Sequence, residues 1–286
     1  MNIDKAVITA AGSKQKNLPL QTLIDRDGVE KSVLQILVEE CLRADIKEIG
    51  IVINPENEQS YRKVIGEHKN RIRFIHQNEP LGYGHSIFCA KDFAKSNPVL
   101  HLVGDHLYVS RTHKGCAQLL VEVARSEDCS VSSVHATRET QLRFFGAVGG
   151  RKEAGKKNLY RVDTVMEKPT PTEAEQFLTV PGMRSSHYLC FFGMHVLSPA
   201  VFDILEKLLK ENKKDGKITL SDAMIVLAKK EKYLALEMFD YRYDVGIKYG
   251  LLMAQLAISL SGEEKEFVLS NILELLALRE LRSVRN

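Results

Sequence analysis

Two aspartates follow predicted strands and stand close to glycines. Asp105 lies in the segment Val-Gly-Asp-His, and Asp244 lies in Tyr-Asp-Val-Gly. Mg²⁺ prefers oxygen ligands and usually takes only one or two protein carboxylates, with water and substrate phosphate completing its octahedron. A single aspartate at such a place is also suited to capping a helix or ending a turn. Two acids from separate strand ends can share one Mg²⁺ ion, which is the hypothesis for this pair.

Small residues follow the first apolar run, at Ala10, Ala11 and Gly12. A ligand can approach the backbone closely there, and free N–H groups can meet a phosphate. Many turns between a strand and a helix are rich in glycine for steric reasons alone. The segment is therefore a candidate phosphate-binding turn, with an ordinary turn as the alternative.

The loop over residues 77–85 holds a proline and two glycines immediately before a predicted helix. Its Gln77 carries an amide that both donates and accepts hydrogen bonds, which suits the edge of a nucleobase. An ordinary turn, with His85 in a structural role at the helix start, is the alternative.

Another predicted strand ends in Glu167, Lys168 and Pro169. Lysine is a compact point charge suited to a phosphate, and a carboxylate accepts hydrogen bonds from hydroxyl groups. A surface ion pair between Glu167 and Lys168 is the alternative.

The elements that must position these residues alternate in type. Short runs rich in valine and isoleucine are separated by helical stretches, which is typical of a parallel sheet wrapped by helices. The predicted strands cover residues 5–10, 48–53, 71–75 and 99–103, and the predicted helices cover residues 32–44, 57–67 and 85–94. The sequence thus predicts an α/β fold. Ligands of such sheets bind outside the carboxyl ends of the strands, where the candidate residues stand.

The second part of the chain has a different pattern. From residue 129 strands dominate, helices return at residues 199–211 and 219–229, and no linker rich in Pro, Gly or Ser intervenes. We therefore expect one lobe over about residues 1–128 and a mixed lobe over about residues 129–262, built around a single sheet.

Residues 263–286 are predicted to form a C-terminal amphipathic helix. Its apolar face carries Val268, Ile272, Leu275 and Leu276. Packing on its own chain and packing on a second subunit, giving a homo-oligomer, both remain open.

The amino-acid composition limits the kinds of partner and site that the protein can have. The 286 residues include 40 Lys and Arg against 37 Asp and Glu, and a net charge of +3 is too small to serve as a nucleic-acid or membrane footprint. The five cysteines are scattered and form no Cys-x-x-Cys pair, so neither a disulfide framework nor a zinc site is indicated. The first residues fit neither a signal peptide nor a membrane span, so we expect a cytoplasmic protein. With no tryptophan, an indole cannot stack on a nucleobase.

The order of these motifs resembles one enzyme family. The chain reads VITAAG, then IHQNEPLGYGHSIFCAKDF, LVGDH, VMEKP, ITLSDAM and YDVGIKYG. This order resembles the sugar-nucleotide nucleotidyltransferases, most closely the bacterial type of UTP:glucose-1-phosphate uridylyltransferase, over residues 5 to about 260. The resemblance implies a Rossmann-like, mostly parallel sheet with a nucleotide lobe and a mixed sugar lobe. It also implies transfer of a nucleotidyl group from a nucleoside triphosphate, UTP by preference, to a hexose 1-phosphate, glucose 1-phosphate by preference, with release of pyrophosphate.

The resemblance also implies roles for individual residues. On the nucleotide side, Gln77 would read the uracil and Gly82 would let the base and ribose approach the backbone, and three small residues would face the nucleotide: Ala10, Ala11 and Gly12. Asp105 and Asp244 would hold Mg²⁺. On the sugar side, Glu167 and Gly146 would contact hydroxyl groups and Lys168 would contact the sugar phosphate.

The first loop departs from the family pattern. The family has Gly-x-Gly-Thr-Arg after its Ala-Ala, whereas this chain has Gly12-Ser13-Lys14-Gln15-Lys16, so that Lys16 falls on the arginine. A lysine lacks the bidentate fork of an arginine. Either Lys14 and Lys16 contact phosphate from a remodelled loop, with Lys16, Lys168 and Asp105 as the catalytic groups, or the fold binds a nucleotide or sugar nucleotide without catalysis. The retained acids and Lys168 favour the enzyme.

Overall fold

A computed structural model describes residues 1–12, 17–211 and 217–283. The strands are β1 Lys5–Thr9, β2 Thr22–Ile24, β3 Glu30–Ser32, β4 Glu48–Ile53, β5 Ile72–His76, β6 Val99–Val103, β7 His106–Val109, β8 Ser130–Arg138, β9 Gly146–Lys152, β10 Leu159–Glu167, β11 His187–Leu197, β12 Tyr233–Glu237 and β13 Tyr241–Asp244. The α-helices are α1 Val33–Arg43, α2 Glu58–Val64, α3 Tyr83–Phe88, α4 Lys91–Ala94, α5 Cys116–Glu127, α6 Pro171–Phe177, α7 Pro199–Glu211, α8 Leu220–Lys230, α9 Gly250–Ser259 and α10 Lys265–Ser283.

A sheet of nine strands forms the centre, in the order β5-β4-β1-β6-β11-β8-β12-β10-β9. The strands β5, β4, β1 and β6 are parallel to one another, whereas β11 runs antiparallel to β6 and β8. Two further ribbons join β13 with β7 and β2 with β3. The α/β prediction is confirmed, with the parallel part at the start of the chain and mixed pairing after it. Both parts belong to one sheet, and the lobe boundary near residue 128 stays a prediction.

The central strand β1 is buried on both faces. Its Ile8 joins the apolar cluster that contains Leu34 and Leu120, while its Val7 joins the opposite cluster with Ile87 and Leu205. A strand covered by helices on both sides has a continuous apolar run, which is the pattern of residues 6–8 between Lys5 and Thr9. The carboxyl end of β1 is therefore fixed within two packed layers.

Most predicted elements end within one or two residues of the observed ones. Ser32 is the N-cap of α1, where its hydroxyl accepts from the Gln35 N–H and the Gln35 side chain accepts from the Ser32 N–H. The helix predicted over residues 85–94 is wrong in outline: α3 begins earlier, after Gly82, and α4 is separate. The chain tightens between them because the Ala90 N–H bonds to the carbonyl of Ile87. The helix predicted over residues 57–67 is also too long, since α2 is followed by a 3₁₀ turn over Gly66–Arg71.

The predicted C-terminal helix is present as α10. Val268 and Ile272 are half-buried, but Leu275 is 68% exposed and Leu276 is 52% exposed. In the single chain, half of the predicted apolar face therefore lies in contact with solvent. Within the described parts of the chain, every helix is too short or too polar to cross a lipid bilayer.

Candidate active site

A cleft of about 460 Å³ opens where β1, β6 and β10 end. Its wall includes residues of the turn after β1, of the loop over residues 77–85, of the segment after β6 and of the Glu-Lys-Pro strand end. It also includes neighbours that the sequence did not single out. The wall consists of Thr9, Ala11, Gly12, Gln77, Pro80, Gly82, Tyr83, Ser86, Val103, Asp105, His106, Phe144, Glu167, Lys168 and Lys217. Seven residues of the sequence prediction are among these. Ala10, Gly146 and Asp244 are not, and Lys14 and Lys16 lie outside the described residues.

The ends of β1 and β6 are held in register up to the cleft. The Ala10 N–H donates to the carbonyl of Val52, and the Gly104 N–H donates to the carbonyl of Thr9, each over 2.8 Å. A side chain at position 104 would begin only 2.7 Å from that Thr9 carbonyl oxygen, so glycine is required for the approach. Ala10 is therefore buried support, and Ala11 and Asp105 reach the cleft side by side.

Gln77 braces the loop that forms one wall. Its Nε2 donates to the carbonyl oxygen of Gly82 over 3.2 Å and lies 3.0 Å from Nδ1 of His85. Gly82 has φ of +105°, and a side chain there would begin 2.8 Å from Cβ of Lys217. Both amide hydrogens of Gln77 therefore serve the loop, and its Oε1 is the atom left to accept a hydrogen bond from a ligand.

Asp105 and Asp244 occupy neighbouring positions because β7 pairs with β13. Asp244 is opposite His106, and the Val245 N–H donates to the carbonyl oxygen of Asp105 over 2.9 Å. On the cleft side, Nδ1 of His106 lies 2.7 Å from Oδ1 of Asp105, so its N–H donates to the carboxylate. Oδ1 of Asp244 accepts from the Gly246 N–H over 2.8 Å.

This pair of acids can serve as a site for a divalent cation. Among the described residues, no group of three or more His, Cys, Asp and Glu could hold a metal ion. Two carboxylates suffice for Mg²⁺, which takes most of its remaining ligands from water and phosphate. The donor set therefore fits a cation that arrives with a phosphate substrate.

Glu167 is held at the opposite wall by a residue that lies far away in sequence. The Ser221 hydroxyl donates to its Oε2 over 2.6 Å. A side chain at position 146 would begin 2.7 Å from Oγ of Ser221 and 3.0 Å from Oε2 of Glu167. Gly146 thus lies behind the carboxylate and leaves room for it, rather than lining the cleft.

Lys168 follows directly and has the left-handed φ of 48°. Its N–H donates to the carbonyl of Phe145 over 3.1 Å. Its side chain is exposed and, as far as the structure describes the chain, forms no ion pair with Glu167. A non-glycine residue in this conformation costs of order 1–3 kcal/mol and is typical of functional sites. Since the two described side chains form no ion pair, the alternative of a surface pair between Glu167 and Lys168 does not hold in this structure.

The sequence reasoning missed several residues of the cleft. Tyr83 and Ser86 lie inside the quoted loop motif, and Thr9 lies inside the first turn motif, but none was given a role. Phe144, which is 52% exposed, and the exposed Lys217 border the cleft from other segments. A signal was available only for the first three, because they fall in motifs next to strand ends.

Tyr83, in the cleft wall, is affected by its burial and by two acidic residues. Burial, with the charges of Asp105 and Glu167, raises the pKa of Tyr83 well above its usual range. Tyr83 therefore stays a neutral hydroxyl at neutral pH.

Residues 5–259 match the family described as nucleotidyl transferase. The match spans most of the chain and includes every segment that lines the cleft. The protein belongs to the nucleotidyl transferase family. Enzymes of this family generally use a divalent metal ion, in keeping with the paired acids.

Several relatives of this nucleotidyl transferase have known names. It is 27% identical over 299 aligned residues to a UTP–glucose-1-phosphate uridylyltransferase of Streptococcus pneumoniae, covering 95% of each chain. It is similar in fold to a UTP-bound UGPase from Acinetobacter baumannii, with a TM-score of 0.73, 21% identity, and 96% and 100% of the two chains covered. It is also similar to a UDP-glucose pyrophosphorylase complexed with UDP-glucose, with a TM-score of 0.69, 22% identity, and 90% and 98% covered. These structures support the fold.

Proposed function

We propose that this nucleotidyl transferase moves the uridylyl group of UTP to glucose 1-phosphate and releases pyrophosphate. The observation that carries the proposal is the meeting of Gln77, Asp105 and Glu167 in one cleft of a chain from this family. The named relative and the two solved enzymes act on or bind these compounds, which supports the choice of uridine and glucose.

The nucleotide lies on the wall made by the first turn and the Gln77 loop. Oε1 of Gln77 accepts the N3–H of uracil, while the bare backbone at Gly82 lets the base and ribose approach. Ala11 and Gly12 face the phosphates with little bulk between ligand and backbone. The residues of the nucleotide lobe thus supply the donor site.

The metal in this proposal is Mg²⁺, held by Asp105 with Asp244 beside it. When bound, it neutralises charge on the triphosphate and on the pyrophosphate that leaves. His106 keeps the Asp105 carboxylate in one orientation through its N–H. Removal of either acid therefore weakens the binding of Mg²⁺ and leaves the binding of the sugar unchanged.

The acceptor lies on the wall made by β9 and β10. Glu167, oriented by Ser221, accepts hydrogen bonds from sugar hydroxyl groups. Gly146 leaves the space behind this carboxylate. Lys168 contacts the phosphate of the sugar, where its charge offsets the repulsion between two anionic substrates.

The reaction is an in-line displacement. A phosphate oxygen of glucose 1-phosphate forms a bond to the α-phosphorus of UTP, and the bond from that phosphorus to the bridging oxygen breaks as pyrophosphate leaves with the electron pair. No protein nucleophile takes part. Holding two substrates in this geometry contributes of order 7–11 kcal/mol to lowering the barrier. In this proposal Lys168 acts on the sugar phosphate and Asp105 on the metal, while Lys14 and Lys16, the cationic candidates of the first loop, lie outside the described residues.

The experiment is a pyrophosphate-release assay of the purified chain with UTP, glucose 1-phosphate and MgCl₂. We expect UDP-glucose as product, no turnover with EDTA, and slower turnover with other nucleoside triphosphates or hexose 1-phosphates. Absence of turnover with every pair, together with thermal stabilisation by UDP-glucose, would instead support a non-catalytic nucleotide-sugar binding protein.

Two broader features belong to the same proposal. We place the enzyme in the cytoplasm, where UTP and sugar phosphates are made, and its five cysteines are unpaired as a reducing compartment requires. We also propose a homo-oligomer formed through α10, whose exposed leucines need a partner surface.

A further inference from the structure

Three of the residues that line the cleft carry hydroxyl groups, namely Thr9, Tyr83 and Ser86, and we call this group the hydroxyl floor. Beneath it lies His101 on β6, which is fully buried. Nε2 of His101 is 3.2 Å from Oγ1 of Thr9 and 3.4 Å from the hydroxyl oxygen of Tyr83. One imidazole thus contacts the hydroxyls of two residues that line the cleft.

The position of the proton on His101 decides what those hydroxyls can do. Burial keeps His101 neutral by lowering its pKa well below the usual value, so only one ring nitrogen carries hydrogen. Nδ1 is buried without a hydrogen-bond partner in the described structure. An unpaired buried N–H costs more than an unpaired acceptor, which places the hydrogen on Nε2. His101 is then a donor to the floor.

That tautomer determines how many hydrogens His101, Thr9 and Tyr83 have for hydrogen bonding. The cluster holds one N–H and two O–H groups, and Nε2 cannot accept because it carries hydrogen. His101 therefore uses neither hydroxyl hydrogen, and at most one of the two can be used between Thr9 and Tyr83, so at least one is left to donate. Nε2 lies nearer to Thr9 than to Tyr83, so Thr9 accepts its hydrogen, and the hydroxyl of Tyr83, a residue of the cleft wall, keeps its own hydrogen to donate.

A second, independent observation lies one helical turn away. Ser86 is 5% exposed and lines the cleft, yet its Oγ has no hydrogen-bond partner among the described residues. Residues three apart in a helix share a face, so Ser86 stands beside Tyr83 on α3. A buried hydroxyl without a partner costs about 1–3 kcal/mol, and a ligand oxygen would relieve that cost.

We propose that the Tyr83 hydroxyl, positioned by His101, donates a hydrogen bond to the phosphoryl group under transfer, with Ser86 as a second donor. Tyr83 lines the same cleft as Asp105, which we assign to the metal, and Glu167, which we assign to the sugar. An anion that gains charge during the reaction needs neutral donors at this point. This inference rests on the proposed function and adds catalytic residues to it.

The test compares Tyr83→Phe with Tyr233→Phe. Both variants lose one buried tyrosine hydroxyl, but Tyr233 donates to Oγ of Ser132 over 2.7 Å in the core, outside the cleft wall. Hydrogen bonds to charged groups predict a fall in kcat/KM of about 10- to 100-fold for Tyr83→Phe, and a smaller fall for Ser86→Ala. The Tyr233→Phe variant keeps its kcat/KM even where its Tm falls.

Binding of UMP and of uridine shows where the hydroxyl acts. If Tyr83 contacts the phosphoryl group, the Tyr83→Phe variant binds UMP more weakly than the wild type does. Its affinity for uridine, which has no phosphoryl group, stays the same. An equal loss for uridine, or an unchanged kcat/KM in both Tyr83→Phe and Ser86→Ala, overturns the inference. If wild-type protein shows no turnover, the proposed function fails, while the comparison of UMP with uridine still tests the hydroxyl floor. Circular dichroism confirms that each variant is folded.

Discussion

The Ser221 hydroxyl and the Glu167 carboxylate form a hydrogen bond of 2.6 Å between the start of α8 and the end of β10. Ser221 is 4% exposed, and its position is fixed by the capping box of Thr219 with Asp222 at the start of α8. Glu167 is exposed to the cleft. A rigid helix start therefore orients the side chain that we assign to the sugar.

Ser221→Ala should weaken sugar binding without affecting the nucleotide. A hydrogen bond to a charged group contributes about 1.5–3 kcal/mol, so we expect KM for glucose 1-phosphate to rise by about tenfold while KM for UTP stays constant. Steady-state kinetics measure both. Ser133→Ala is the control, since its hydroxyl bonds to the Met194 carbonyl inside the core. Equal changes in both KM values would argue against this role of Ser221.

Asp105→Asn should remove most of the turnover. The asparagine side chain has the shape of the aspartate but lacks the negative charge that binds the metal. Because a metal ion supplies several kcal/mol of transition-state stabilisation, kcat should fall by at least about 100-fold. The half-saturating Mg²⁺ concentration should rise in Asp244→Asn. Asp163→Asn is the control, because Asp163 pairs with Arg151 on the exposed edge of the sheet. Full activity of Asp105→Asn would show that the metal lies elsewhere.

Acid should destabilise the fold through the histidines in the sheet. Burial lowers the pKa of His195 to about 3, and that of His101 falls as well. An unfolded histidine titrates near pH 6.5. Between pH 6.5 and about 3 the unfolded chain binds protons that the folded chain does not, so this contribution to the free energy of unfolding is complete above pH 6.5 and is lost as the pH falls.

The slope of that loss is about 1.4 kcal/mol per pH unit for each fully titrating histidine. Urea unfolding at pH 5, 6 and 7 measures it. His195→Gln should reduce the slope, whereas His113→Gln, at an exposed position, should leave it unchanged. A slope that is the same in wild type and His195→Gln would show that His195 is not the group responsible.

The sequence predicted the parallel part of the fold because its signals are local. Residues 48–53 and 99–103 are mostly apolar, interrupted only by Glu48 and His101, and Ser32 with Gln35 gives a capping box that can be read directly. The break between α3 and α4 could not be predicted, since it depends on a change in hydrogen bonding at Ala90 rather than on a Gly or Pro.

In the candidate site, too, the residues in local motifs could be predicted, whereas the contacts made by tertiary packing could not. Motif order indicated Gln77, Asp105 and Glu167, which line the cleft. Ser221 and Glu167 are 54 residues apart in sequence, so their contact follows from tertiary packing alone. The role of Gly146 as space behind a carboxylate has the same origin, because its neighbours come from β11 and α8.

The C-terminal helix should hold two copies of the chain together. Among the residues of α10 whose side chains are described, six large apolar side chains are exposed, namely Phe267, Leu269, Leu273, Leu275, Leu276 and Leu278. Burying one such side chain contributes about 1.5–3 kcal/mol, so pairing with a second copy of the helix would stabilise the dimer far more than surface ion pairs do.

We expect light scattering to give twice the mass of the chain. Leu273→Glu combined with Leu276→Glu should give the monomer mass, and Glu274→Gln on the same helix should not. Truncation after Gly262 should likewise give monomers, and a monomer mass for the wild type would contradict the proposed homo-oligomer.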